Sequence, residues 1–296
     1  MAGHGAGTGA GPGAGTGAGP GATDGLDTSL LAQGASVFTA LSGTANVIMQ
    51  LSRPEIGYAV KDSVVTEGNL FTNPRRRQRT TVGFLAVAVL GTAEERAAFR
   101  RATNRSHARV RSGPGAVPAY SAFDPDLQLW VAACIYRGFE ESRAFVHGPL
   151  RGPEREEFYR QGMVFGTMLQ VPAELWPPDR EAFEAYWCDG LAQTSIDEAM
   201  RGYLLRVVRL EYLGRRIPRP VVRLREWLAA GHLPPELRDA MGFSWSPAQQ
   251  RRFDRFNRVL GALVRRLPAE RRAWPFTRSI AEVRERMRRG DDLFGT

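Results

Sequence analysis

The chain has 296 residues, 43% hydrophobic and 24% charged, with a formal net charge of +9 and two cysteines. This length and composition suit a globular protein with a sizeable core. They exclude a zinc finger or ribbon, because no CxxC or CxxxH spacing is present, and a membrane-spanning helix, because no run of about 18 uninterrupted apolar residues exists.

The basic charge raises nucleic acid as a partner. However, Lys61 is the only lysine, and the arginine clusters rarely alternate with the aromatics that single-strand binding favours. No nucleic-acid partner is expected. Residues 1–25 are Gly/Ala/Thr/Pro repeats that bury too little surface to offset the entropy of ordering, so a disordered tail is expected. The tail lacks the basic start and apolar run of a secretion signal, which makes the cytoplasm the default location. The remaining 26–296 reads as one domain.

Apolar residues from Leu30 to Leu51 recur mostly at three- and four-residue spacing and predict helix. Gly34, Gly43 and Ala45 on that stretch would admit either a neighbouring helix or a flat ligand. Pro54 suits the first turn of a short helix reaching about Val64. A helix from about Arg75 to Leu90, ended by Gly91, places Arg77 and Thr81 four residues apart and therefore on one face. Arg75, Arg76 and Arg79 read as solvated or phosphate-facing. Thr92 followed by Glu95 has the capping-box pattern. In the helix that follows, Phe99, Thr103 and His107 recur every four residues, so His107 points inward with Phe99. Such a histidine is either a packed, hydrogen-bonded residue or a ligand.

Asp124-Pro125 starts a long helix to about Val146, with Leu127, Val131, Cys134 and Phe139 on or near its inner stripe. Helices follow over about 153–169, 180–192, 196–213, 221–230 (stopped by Gly231), 233–241, 247–266 and 280–288. Phe253, Phe256, Leu260 and Leu263 form the expected core stripe of the 247–266 helix. Cys134 and Cys188 read as small buried hydrophobes. His147 and His232 read as helix-end residues favoured by the helix dipole. The class is all-α, a single multi-helix domain of about ten helices without an internal repeat.

No nucleotide loop, P-loop, nucleophile elbow or His-Glu-x-x-His motif is present. With four histidines, a multi-histidine metal site is nearly excluded. One inward histidine in an all-α protein is compatible with haem, whose porphyrin supplies four nitrogens to the iron.

From about Gly34 to Arg284 the chain resembles the family of rubber oxygenases (latex clearing proteins) and mpaB-type oxygenases, which also holds many uncharacterised actinobacterial proteins. The resemblance rests on Gln50-Leu-Ser-Arg-Pro54, on Arg77-x-x-x-Thr81 leading into Val82 to Thr92, and on His107-Ala-Arg-Val-Arg111. It continues through Tyr120-Ser-Ala-Phe-Asp-Pro-Asp, Leu-Trp-Val131, Leu169-Gln-Val-Pro172, Leu237-Arg-x-x-x-Gly242 and Arg278 to Arg284. It implies a globin-like helical core, haem b and dioxygen activation. His107 would be the proximal iron ligand, with Arg77 and Thr81 beside the haem and Arg77 polarising dioxygen or pairing with a propionate. Two departures stand out: Ala132 and Asp62 occupy positions where many relatives carry histidine. Glu67 is a weak candidate for a general base.

The expected function is a haem b-dependent oxygenase using dioxygen on a small apolar, isoprenoid or secondary-metabolite, substrate. Without a secretion signal, extracellular rubber is not the expected substrate. The alternative is a non-catalytic haem- or lipid-binding protein of the same fold, which the change at Ala132 favours.

Overall fold

The computed structural model describes residues 25–62, 69–113 and 115–295. Apart from Gly25, the expected tail lies outside the described residues, as does Glu67. The fold is all-α, as expected: thirteen α-helices and short 3₁₀ turns, with a single isolated bridge between Arg111 and Ser121 as the only β pairing among the described residues. No described helix is long and apolar enough to cross a membrane.

Helix starts follow the capping chemistry in the sequence. Ser36 caps α1 (Val37–Leu51), and Pro54 opens α2 (Pro54–Lys61). Pro74 opens α3 (Pro74–Leu90), one residue earlier than expected. The Thr92/Glu95 capping box starts α4 (Ala93–His107), satisfying orphan N–H groups at both residues. Asp124 accepts from two backbone N–H groups at the head of α5 (Pro125–His147). Next come α6 (Gly152–Met168) and α7 (Arg180–Ala192), followed by α8 (Glu198–Val208), α9 (Arg219–His232) and α10 (Pro235–Ala240). The chain closes with α11 (Pro247–Arg265), the one-turn α12 (Ala269–Arg272) and α13 (Trp274–Arg289). The last helix begins six residues before its expected start, and α12 was not anticipated.

Helix α5 is the central beam and packs against α1, α6 and α11. Trp130, Tyr136 and Phe139 on it are essentially inaccessible, each burial contributing about 1.5–3 kcal/mol or more. The Trp130 indole stacks on Trp187 at 5.1 Å and donates to Met49 O at 3.0 Å. Arg180 satisfies Tyr136 Oη and Glu140 at 2.6 Å each, so this buried cation is paired.

Packing also corrects three expectations. Gly231 does not stop α9; it lies inside the helix, where a Cβ would sit 2.3 Å from the Phe253 ring. Leu263 is 53% exposed and the buried stripe of α11 runs through Phe253, Gly261 and Val264 instead. Cys134 is buried but Cys188 is exposed, because the packed face of α7 is carried by Phe183, Trp187 and Gly190.

Candidate functional site

Helices α1 to α5, the 120–122 loop and the turn after α13 enclose a cavity of about 450 Å³, within the range of small-molecule and cofactor pockets. Arg77, Thr81 and His107, the three residues singled out in the sequence, all line it.

His107 is the last residue of α4. The capping box sets the register, so Phe99 is 1% exposed and packs inward while His107, two turns on, reaches the cavity. Between them, Thr103 returns its hydroxyl to Phe99 O at 3.0 Å and leaves the histidine untouched. The buried Nδ1 of His107 has no hydrogen-bond partner, and neither does the buried Oδ1 of Asn104 one turn earlier. Burial pushes the His107 pKa down to about 4, and the positive charge of Arg77 adds to the effect. At neutral pH the ring is an uncharged imidazole, which is the form that ligates a metal.

Arg77 comes from the first half of α3. It lines the cavity and is an exposed residue; nearby protein desolvates the guanidinium and lowers its pKa, with Tyr203 opposing. It keeps its charge, as arginine does in proteins. Among the described residues it has no carboxylate partner. Thr81, one turn further, lines the same space.

Other lining residues were missed in the sequence. Arg76 is half-buried and lines the cavity, and Arg79 pairs with Glu282 of α13 at 3.8 Å and donates to Gly295 O. Glu55 at the head of α2 lines the cavity and buries Oε2 without a partner. In sequence it reads simply as an acid favoured by the helix dipole. Asp292 and Phe294, beyond the last helix, complete the wall, with Phe294 against Phe99 at 5.2 Å and Asp292 beside Arg105 at 4.0 Å.

Gly34, in the 3₁₀ turn before α1, and Gly43, on α1, take the two different roles open to them. A Cβ at Gly34 would stand 2.7 Å from Phe139 O, so Gly34 serves helix packing. At Gly43, a cavity-lining position, it would meet nothing within 4 Å. The two departures from the family pattern lie elsewhere. Ala132 is fully buried but is not part of the cavity wall, which α5 builds from Leu127, Gln128, Val131, Ile135, Gly138 and Phe139. Asp62 ends α2, paired with Lys61 at 2.6 Å.

Among the described residues no three His, Cys, Asp or Glu side chains converge as a metal site. The donor set fits a metal that brings most of its own ligands. An uncharged imidazole, a cation without a carboxylate partner, a largely apolar wall and an open floor at Gly43 are compatible with a haem.

Residues 31–262 match the family described as "ER-bound oxygenase mpaB/B'/Rubber oxygenase, catalytic domain". Two relatives, one from Mycobacterium bovis and one from Mycobacterium tuberculosis, are each named only as an uncharacterized protein. Both are 42% identical to the chain over 248 residues, covering 83% of this chain and 96% of their own. No solved structure matches the chain.

Proposed function

The chain belongs to the mpaB and rubber oxygenase catalytic-domain family, and from that premise we propose that it is a haem b-dependent oxygenase acting with dioxygen on a small apolar substrate of isoprenoid or secondary-metabolite type. The observation that carries the reading is the meeting of His107, Arg77 and Thr81 in one cavity.

His107 is the residue to hold the iron, through a ring that burial and Arg77 keep uncharged. When bound, a haem supplies redox-active iron for dioxygen chemistry. Arg77 provides a fixed positive charge at the cavity, where it stabilises developing negative charge or a propionate. The Thr81 hydroxyl can donate a hydrogen bond on the same side. Phe84, Val131 and Ile135 give the wall its apolar character, excluding water and accepting a hydrocarbon. Glu55 places a carboxylate in the cavity wall, the kind of group that the sequence offered at Glu67. The protein works in the cytoplasm, without a nucleic-acid partner.

The alternative, a non-catalytic haem or lipid binder, drew its support from Ala132. That position is fully buried and outside the cavity wall, so a histidine there would act on the site only through intervening residues. The test is the absorption spectrum of protein expressed with haem supplied, beside His107→Ala. A Soret band in the wild type that is lost or shifted in the variant supports the reading. A wild type that stays colourless after haem titration overturns it.

A further inference from the structure

The outer side of α11 is a surface without a partner. Residues 252, 255, 259, 263 and 266 recur at three- and four-residue steps and so share one face, opposite the buried Phe253, Gly261 and Val264. On that face Val259 is 56% and Leu263 53% exposed, flanked by exposed Arg252, Arg255 and Arg266. The same stretch continues into Leu267 and Trp274, which are 38% and 55% exposed.

Charge concentrates there as well. Residues 247–278 hold nine arginines against two acids, most of the chain's net charge of +9. Among the described residues, none of those nine forms an ion pair. In the second half of α13, by contrast, Arg284, Arg286, Arg288 and Arg289 all pair with glutamates. The unpaired cations therefore sit where the aliphatic side chains are bare.

We propose that this face of α11, with the turn leading to Trp274, docks the protein onto an anionic lipid bilayer. Arginines around an apolar stripe, with a tryptophan beside it, make an interfacial helix that draws on both lipid charge and acyl-chain burial. Charge complementarity selects the occupant. A second copy of this face would be repelled by like charge. A nucleic acid would use the arginines and could stack on Trp274, but it would leave the bare aliphatic pair Val259 and Leu263 without a role. The inference rests on surface residues that do not line the cavity, so it stands or falls separately from the haem reading.

The test is co-sedimentation of the full chain with vesicles of phosphatidylcholine alone and of phosphatidylcholine with phosphatidylglycerol, at low and high salt. Binding to the anionic vesicles is expected, with at least a tenfold loss in an Arg252→Glu, Arg255→Glu double variant. A Val259→Ser, Leu263→Ser double variant is expected to bind several-fold more weakly at high salt, where the remaining attraction is apolar. These positions are exposed, and far-UV circular dichroism confirms that each variant is folded. Failure to bind anionic vesicles overturns the proposal. So does binding that both double variants retain, tighter binding to a single-stranded oligonucleotide that ignores the serine substitutions, or a dimer that the serine substitutions dissociate.

Discussion

His107 and His232 occupy the same place in their helices: each is the last residue, of α4 and of α9. Each buries one ring nitrogen without a partner, Nδ1 in His107 and Nε2 in His232. Their neighbours separate them. His107 looks into a cavity with a cation close by. His232 has Glu141 2.6 Å from Nδ1 and lies edge-on between Phe38 and Phe253, at 5.2 and 4.8 Å. Burial, helped by the nearby cation, leaves His107 uncharged and its lone pair free, whereas a carboxylate and two rings make His232 a strut joining α1, α5, α9 and α11. Position in a helix is therefore silent about role; the charge sign of the nearest neighbour is what speaks.

The sharpest way to break this contrast is to remove each ring. We expect His107→Ala to abolish or shift the Soret band of haem-supplied protein, and His232→Leu to leave it unchanged. If both variants lose the band, the two histidines are not functionally distinct. Next in size, Arg77→Leu is expected to cut oxygen-dependent turnover, followed by oxygen uptake, by roughly 10²-fold, because the fixed cation is lost while the His107 ligand remains.

Acid provides a third test. The His107 pKa lies at about 4 in the folded chain and about 6.5 unfolded. Between those values the unfolded chain binds more protons, so stability falls as pH drops through that window and is unaffected above it. For haem-free protein the loss approaches about 3 kcal/mol by pH 4, readable as a shift in denaturant midpoint that His107→Ala should lack. A smaller effect is expected for the strut: His232→Leu should destabilise by about 1–2 kcal/mol in the same melts, since the part-exposed Glu141 can turn to water.

Local chemistry made much of this molecule legible in advance. Thr92, Asp124 and the prolines marked helix starts to within a residue or so, because capping is decided by neighbours in sequence. The four-residue spacing of Arg77 and Thr81, and of Phe99, Thr103 and His107, put the candidate residues on the faces that meet in the cavity. What escaped was decided by distant parts of the chain. Glu55 looks like any acid at a helix start until the fold brings it into the cavity wall. Asp292 and Phe294 lie beyond the last predicted helix, and only the fold brings them to Arg105 and Phe99. Gly231 was misread because a glycine near a helix end signals termination as readily as close approach, and only the Phe253 ring tells them apart.

The open floor at Gly43 turns the cavity into a ruler. With nothing within 4 Å of its missing Cβ, this helical position can take side chains of increasing length without clearing a neighbour first. Gly43→Ala should raise stability by about 0.5–1 kcal/mol through helix propensity alone. Val, Leu and Phe would then shorten the enclosed space step by step. The size at which a candidate hydrocarbon ceases to be turned over measures how far it extends toward α1, so a graded series at one residue can gauge a substrate before its identity is in hand.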